Sequence, residues 1–128
     1  MKKDKTVVLI TGVSREEGIG FGLAKEMVSR GFEVIITARD FEKVKNLSQK
    51  INESNEGISA FQLDVTNDES VQKLNDFIEA KFGRLNVLIN NAGGNLDYMI
   101  PPLETDFNNT KEAFETNLFG AWRVIKGI

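Results

Sequence analysis

The fold is decided by residues 6–20, which read TVVLITGVSREEGIG. The apolar, β-branched run at its start is typical of a parallel strand covered on both faces. A glycine-rich turn follows and leads into a helical pattern that begins at Ile19. A strand, a glycine turn and a helix in this order predict a βα unit whose turn lies close to a phosphate group.

The same alternation of strand and helix continues along the chain. Gly31 and Gly83 are placed to end helices, and Thr66 with Glu69 predicts a capping box at the start of another. Four βα units in a row predict an α/β fold, a Rossmann-type doubly wound parallel sheet of about four strands in the order 3-2-1-4. The predicted strands are residues 6–11, 32–37, 58–65 and 85–90.

The last helical pattern has aromatic residues that need a surface to cover, and it is expected to be broken near Asn117. No further strand follows it, and the sequence ends at Gly127 and Ile128 without a polar tail or a cap. We therefore expect residues 1–128 to be a single dinucleotide-binding domain that is truncated.

Composition excludes several classes of function. The chain has 128 residues and a net charge of -3 with interspersed charges, which argues against nucleic acid or an anionic membrane as a partner. It contains neither Cys nor His, so disulfides, thiolate metal sites and the commonest metal ligand are absent, and we expect no metal. The sequence has no apolar run of spanning length, and we expect a cytoplasmic location.

The turn after the first strand is the first candidate binding site. Free N–H groups and the helix dipole favour a pyrophosphate there, and glycine allows close approach of the backbone. The alternative is tight packing of strand against helix without a ligand. The candidate residues are Gly12, Ser14, Arg15, Gly18, Ile19 and Gly20.

The ends of strands two and three supply the next candidates. Arg39 follows strand two where a ribose 2′-phosphate would lie, which favours NADP, whereas the neighbouring Asp40 would favour NAD or cap the next helix. Asp64 and Val65 end strand three, where a carboxylate and a backbone N–H suit the adenine amino edge. A helix cap is the alternative for Asp64, but Thr66 already fits that cap.

The end of strand four carries two amides followed by small residues. Ligands of open α/β sheets bind at the carboxyl ends of strands near the topological switch point. Small residues let the backbone pack closely against a flat cofactor. The candidate residues are Asn90, Asn91, Ala92 and Gly93.

Together these motifs resemble the short-chain dehydrogenase/reductase family over essentially the whole chain. The glycine turn is similar to the family's phosphate-binding motif, Asp64-Val65 to its adenine contact, and residues 90–93 to its signature after strand four. Residues 37–40 and 61–65 are similar to the carbonyl-reductase branch, which mostly uses NADPH. The resemblance also implies that Asn117 serves the family's proton relay and supports its catalytic Lys.

Two departures from the family pattern matter. Gly12 and Gly18 are separated by five residues where the family has three, so Glu16 and Glu17 look inserted. The family's Ser and Tyr-x-x-x-Lys lie downstream of the Asn, whereas the single Tyr here, Tyr98, precedes it. Asn117 is the only member of the catalytic set present, and a structural, helix-breaking Asn is its alternative role.

The resemblance implies an NADP(H)-dependent oxidoreductase that transfers hydride to or from a small carbonyl or alcohol substrate. We expect this chain to carry the cofactor-binding half and to be inactive alone. It is also expected to form a homo-oligomer through its C-terminal helix, as family members often do.

Two alternatives stay open. One is a non-catalytic nucleotide-binding or self-associating module that uses the apolar face of the last helix. The other is a Rossmann-like methyltransferase that uses S-adenosylmethionine, although Thr11 stands where an acidic residue would be expected.

Overall fold

The computed structural model describes residues 5–93, 102–104 and 106–128. Strands and helices alternate from the start of this part of the chain, as the apolar periodicity predicts. The elements are β1 (Val7–Ile10), α1 (Ile19–Ser29), β2 (Glu33–Ala38), α2 (Phe41–Ile51), β3 (Ile58–Gln62), α3 (Asp68–Lys81), β4 (Val87–Ile89), a 3₁₀ turn (Pro102–Glu104), α4 (Phe107–Phe114), a π-helical turn (Glu115–Gly120) and α5 (Ala121–Gly127).

The four strands form one parallel sheet in the order β3-β2-β1-β4, which confirms the predicted Rossmann-type topology. β1 lies in the centre, where Val8 pairs with Val34 of β2 and with Val87 of β4. Every side chain of β1 and β2 is buried, because helices cover both faces of the sheet. Because all four strands are parallel, their carboxyl ends meet at one edge of the sheet.

Two apolar clusters hold the layers together. Helices α1 and α2 cover one face of the sheet, where Phe21 and Val44 pack against Ile36. Helices α3 and α5 cover the other face, where Leu74 and Val124 belong to the cluster around Leu9 and Ile35. Val124 is fully buried, so the last helix is anchored on its inner side.

Helix ends follow local chemistry, with one correction to the sequence prediction. Gly31 and Gly83 have φ of +91° and +72° after α1 and α3, which is the left-handed conformation expected at helix stops. The predicted capping box at Thr66 is wrong. The cap of α3 is Asn67, whose side chain accepts a hydrogen bond of 2.9 Å from the N–H of Ser70.

The predicted break near Asn117 is present as a π-helical turn between α4 and α5. Such a turn inserts an extra residue, so the helix changes which residues face the sheet on either side of it. Strands β3 and β4 are shorter than predicted, since β3 ends at Gln62 and β4 covers only Val87–Ile89. Within the described residues, no helix is both long and apolar enough to cross a membrane.

Candidate functional site

A cleft of about 880 Å³ opens at the carboxyl edge of the sheet. Its size lies within the range of small-molecule and cofactor sites. Residues from all four strand ends line it, and α4 and the π-helical turn supply the remaining wall. The lining residues are Gly12, Ser14, Ala38, Arg39, Asp40, Lys43, Leu63, Asp64, Val65, Thr66, Ala92, Gly93, Glu112, Ala113, Glu115 and Thr116.

The ends of β1 and β4 are joined by the hydroxyl of Thr11. Its Oγ1 accepts hydrogen bonds from the backbone N–H groups of Asn91, at 3.1 Å, and of Ala92, at 3.0 Å. Thr11 is completely buried, so these two bonds are shielded from water. The Asn91 side chain in turn donates to the carbonyl of Gly12 at 3.1 Å.

Glycines make this junction possible. Gly12 has a φ of +71°, and a Cβ built on it would lie 2.7 Å from the Ala92 nitrogen. A Cβ on Gly20 would lie 2.6 Å from the Asn91 amide nitrogen. The glycine turn therefore packs directly on the end of β4, through Gly12 against Ala92 and Gly20 against Asn91.

The start of α1 has no side-chain cap. Gly18 is the N-cap residue and makes no side-chain hydrogen bond, and no acidic residue stands in the first turn of α1. By contrast, α2 and α3 begin with capping side chains, Asp40 and Asn67. The N–H groups at the start of α1 are thus left for another acceptor.

Neither residue of the insertion in the glycine turn, Glu16 or Glu17, lines the cleft. Glu16 forms an ion pair with Lys50 of α2, and both side chains are more than half exposed. The stem of Arg15 lies beside Gly18, and its Cγ would be 3.5 Å from a Cβ there. Of the loop residues 13–17, Ser14 lines the cleft, whereas Arg15 does not.

Arg39 and Lys43 place two cationic side chains at the end of β2. The carboxylate of Asp40 accepts a hydrogen bond of 3.3 Å from the Lys43 N–H and so caps α2. The backbone carbonyl of Arg39 accepts a hydrogen bond of 3.1 Å from the side chain of Gln62. Sequence reasoning missed Lys43, although a second cation four residues after Arg39 on a helix start was a usable signal.

Asp64 is fixed by a tight local turn. Its Oδ1 accepts from the hydroxyl of Thr66 at 2.6 Å and from the Thr66 N–H at 2.9 Å. The hydrogen bond from the Thr66 hydroxyl has the largest effect on the pKa of Asp64 and holds it below its ordinary value. Burial has a smaller effect and raises the pKa. Further lowering comes from the Thr66 N–H and from the charges of Arg39 and Arg123. Asp64 is therefore an anionic acceptor at the cleft wall.

Asn117 lies on the π-helical turn, with its side chain towards Gly93. Its Oδ1 would be 2.8 Å from a Cβ built on Gly93, so that position accommodates only glycine without a shift. Asn117 is exposed and Gly93 lines the cleft. The turn thus brings Asn117 beside the end of β4.

The sequence-predicted residues divide into two groups. Those that line the cleft are Gly12, Ser14, Arg39, Asp64, Val65, Ala92 and Gly93. Those that do not are Arg15, Gly18, Ile19, Gly20, Asn90, Asn91 and Asn117, of which Gly20 and Asn91 build the junction beneath it. Tyr98 and most of the loop around it lie outside the described residues.

The chain matches the family model described as short chain dehydrogenase over residues 6–128. It is 34% identical over 128 residues to the 3-oxoacyl-[acyl-carrier-protein] reductase FabG of Salmonella typhimurium, covering 100% of this chain and 50% of the relative. It is 37% identical to carbonyl reductase [NADPH] 1 of Rattus norvegicus, covering 98% of this chain and 44% of the relative.

Solved structures show the same similarity to short chain dehydrogenases and related reductases. A short chain dehydrogenase from Bacillus anthracis superposes with a TM-score of 0.86 at 34% identity, covering 98% of this chain and 50% of that one. ElxO with NADP bound superposes with a TM-score of 0.83 at 40% identity, covering 96% of this chain and 48% of that one. The chain spans about half the length of the relatives that it matches. It belongs to the short chain dehydrogenase family of oxidoreductases.

Proposed function

We propose that residues 1–128 form the cofactor-binding half of an NADP(H)-dependent oxidoreductase that transfers hydride to or from a small carbonyl or alcohol substrate. The observation that carries the proposal is the cleft, because it joins residues of all four sequence motifs at one edge of the sheet. That edge is where open α/β sheets bind their ligands.

The pyrophosphate would bind at the glycine turn. Gly12 lines the cleft, and the start of α1, which follows in the same turn, has no side-chain cap, so its N–H groups and the positive end of its dipole would be available to an anion. The inserted Glu16 is held by Lys50 on the α2 side, so its charge is kept away from this region. These features fit a dinucleotide.

NADP(H) is favoured over NAD(H) by charge at the end of β2. Arg39 and Lys43 both line the cleft and would hold a 2′-phosphate, which a carboxylate would repel. The nearby carboxylate of Asp40 already accepts from the Lys43 N–H. In the same direction, a relative is named carbonyl reductase [NADPH] 1 and a similar structure contains NADP.

The adenine would lie against Asp64 and Val65. The carboxylate of Asp64 would accept from the adenine amino group, and the Val65 backbone lies beside it on the cleft wall. When bound, the cofactor would supply or accept the hydride. The residues that contact the cofactor beyond its adenosine part would come from the rest of the protein.

Asn117 is the only residue of the family's catalytic set in these 128 residues, since no Tyr-x-x-x-Lys is present. Its place beside Gly93 puts an amide near the end of the cleft, where it would support a proton relay. Without a Tyr in the required position, this chain has no acid to protonate a carbonyl. We therefore expect the 128-residue chain alone to bind cofactor without turning it over.

Cofactor titration of the 128-residue chain tests the proposal. NADPH should bind more tightly than NADH, and Arg39→Met or Lys43→Met should weaken NADPH binding by about 10-fold or more. NADH binding should change little in both variants. Lys45→Met is the matched control, because Lys45 is exposed on α2 and does not line the cleft. Equal affinity for NADPH and NADH would contradict the assigned preference.

Self-association through the C-terminal helices is a second candidate role. Large apolar side chains of α4 and α5 are exposed, and we propose that a second copy of the chain covers them. Phe114 is 55% exposed, Trp122 57% and Ile125 61%, so these three large apolar side chains are left uncovered in the single chain. Sedimentation should show a dimer that Trp122→Lys dissociates, and a stable wild-type monomer would contradict this role.

A further inference from the structure

Arg123 of α5 makes three hydrogen bonds across the end of the sheet. It donates to the backbone carbonyl of Val65 at 2.7 Å, to Oδ1 of Asp68 at 2.7 Å and to Oε1 of Glu115 at 3.1 Å. Its side chain is only 24% exposed, although those of Asp68 and Glu115 are 89% and 45% exposed. A largely covered guanidinium with its donors distributed in this way holds its partners in a fixed arrangement.

Two of these partners, Val65 and Glu115, line the cofactor cleft, whereas Arg123 itself does not. The packing around Arg123 is close as well. A Cβ on Gly120 would lie 3.1 Å from the Val65 Cβ, and Val124 is fully buried beside this contact. Helix α5 is therefore seated directly on the segment that follows β3.

The segment that Arg123 holds is short and irregular. β3 ends at Gln62 and α3 begins at Asp68, so residues 63–67 have no sheet partners along most of their length. Asp64 lies in this segment and turns back on Thr66. Hydrogen bonds from other elements fix the segment at three points. The Leu63 N–H donates to the Ala38 carbonyl and the Asp64 N–H to the Ser70 hydroxyl, both at 2.9 Å, whereas Arg123 is the contact from the C-terminal helix, at the Val65 carbonyl.

We propose that Arg123 is a positioning residue. It fixes the Asp64–Val65 wall of the cleft, and this wall then distinguishes adenine from a base without the amino group, such as hypoxanthine. The proposal rests on the cofactor site proposed above. It predicts that loss of Arg123 impairs recognition of the base, while recognition of the 2′-phosphate by Arg39 and Lys43 is retained. The charge of Arg123 also favours the anionic form of Asp64, although less than the Thr66 hydroxyl does.

The test compares NADPH with its hypoxanthine analogue, reduced nicotinamide hypoxanthine dinucleotide phosphate. In this analogue a carbonyl replaces the amino group of the base. The hydrogen bond from that amino group to Asp64 is therefore lost. Wild-type chain should bind NADPH about 10-fold more tightly than the analogue. In Arg123→Met the affinities for NADPH and the hypoxanthine analogue should differ by no more than about threefold. The ratio of NADPH to NADH affinity should stay unchanged.

Controls separate positioning from a general loss of stability. Lys126→Met removes an exposed cation from the same helix. It should keep the wild-type base ratio, which is the ratio of the affinities for NADPH and for its hypoxanthine analogue. Asp68→Ala removes only the most exposed partner and should also keep this ratio. Arg123→Lys should give an intermediate ratio, because Lys retains the charge but lacks the planar arrangement of donors. This variant keeps the test open if Arg123→Met does not fold.

The outcomes are distinguishable. A wild-type preference for NADPH over the analogue in Arg123→Met would overturn the role of Arg123 and leave the cofactor site intact. A wild-type chain that binds NADPH and the analogue equally would overturn the role of Arg123 and also the proposed contact of Asp64 with the adenine amino group. A wild-type chain that binds neither NADPH nor its analogue would overturn both proposals. Loss of the base ratio only in the Arg123 variants is the result that supports the inference.

Discussion

Gly12 lies directly against Ala92, so close that a Cβ on Gly12 would be 2.7 Å from the Ala92 nitrogen. The contact joins the turn after β1 to the end of β4, two segments 80 positions apart in the sequence. Both residues line the cleft, so this contact sets the distance between two of its walls. The φ of +71° at Gly12 adds a second reason for glycine at this position.

Substitution of Gly12 by Ala should lower the free energy of unfolding by about 3 kcal/mol, from left-handed strain and overpacking together. Urea denaturation followed by circular dichroism measures this. Gly22→Ala is the control, because a Cβ there meets nothing within 4 Å in the middle of α1. It should stabilise the chain by about 0.5–1 kcal/mol through helix propensity. Equal effects of the two substitutions would contradict the close contact.

The Thr11 hydroxyl should be needed for the junction of β1 and β4. Thr11→Val keeps the shape but leaves the N–H groups of Asn91 and Ala92 without their acceptor, at a cost of about 2–3 kcal/mol in unfolding free energy. Thr11→Ser keeps the acceptor and should recover most of this loss. Amide hydrogen exchange at Asn91 and Ala92 should accelerate only in the Val variant, and unchanged exchange would show that the hydroxyl is not their acceptor.

Much of this site was predictable from local patterns. The buried run of β1 and the glycines at 12, 31 and 83 have direct sequence signals, because apolar runs, turns and helix stops depend on neighbouring residues. The cap of α3 was misassigned because Thr66 and Asn67 are adjacent residues with similar capping ability, and the geometry of Asp64 decides between them.

Other features depend on distant segments and had no local signal. The three partners of Arg123 lie up to 58 residues away along the chain, so only the packing of α5 on α3 brings them together. The direction of the inserted Glu16 is likewise set by Lys50, which is 34 residues away. Contacts of this kind follow from the topology of the whole sheet.

The Asp64–Thr66 turn predicts a pH dependence of stability. The pKa of Asp64 is lowered in the folded chain, so its stabilising contribution is present above its unfolded pKa and is lost as the pH falls through the folded value. Thr66→Val should raise the pKa of Asp64 and weaken the dependence of unfolding free energy on pH below about pH 4. Thr66→Ser, which keeps the hydroxyl, should behave like wild type.

The Asp64 carboxyl carbon can be followed directly by NMR titration in the wild-type chain and both Thr66 variants. A titration midpoint that is the same in all three chains would show that the Thr66 hydroxyl does not hold the carboxylate.

The ion pair between Glu16 and Lys50 should contribute little to stability. Both side chains are more than half exposed, so a double-mutant cycle with Glu16→Gln and Lys50→Met should give a coupling energy under about 1 kcal/mol. NADPH affinity should change by less than about twofold in Glu16→Gln, because the carboxylate faces α2. A large gain in affinity would mean that Glu16 repels the cofactor phosphates.

The cleft at the carboxyl edge of the sheet is the proposed cofactor site. Whether NADPH binds there can be determined by titrating the isotope-labelled 128-residue chain with NADPH and following its amide signals by NMR. We expect saturable shifts concentrated at residues 12–20, 39–43, 64–66 and 91–93, with little change at the carboxyl-terminal ends of α2 and α3. Shifts that are absent at saturating NADPH, or that are centred elsewhere on the chain, would contradict it.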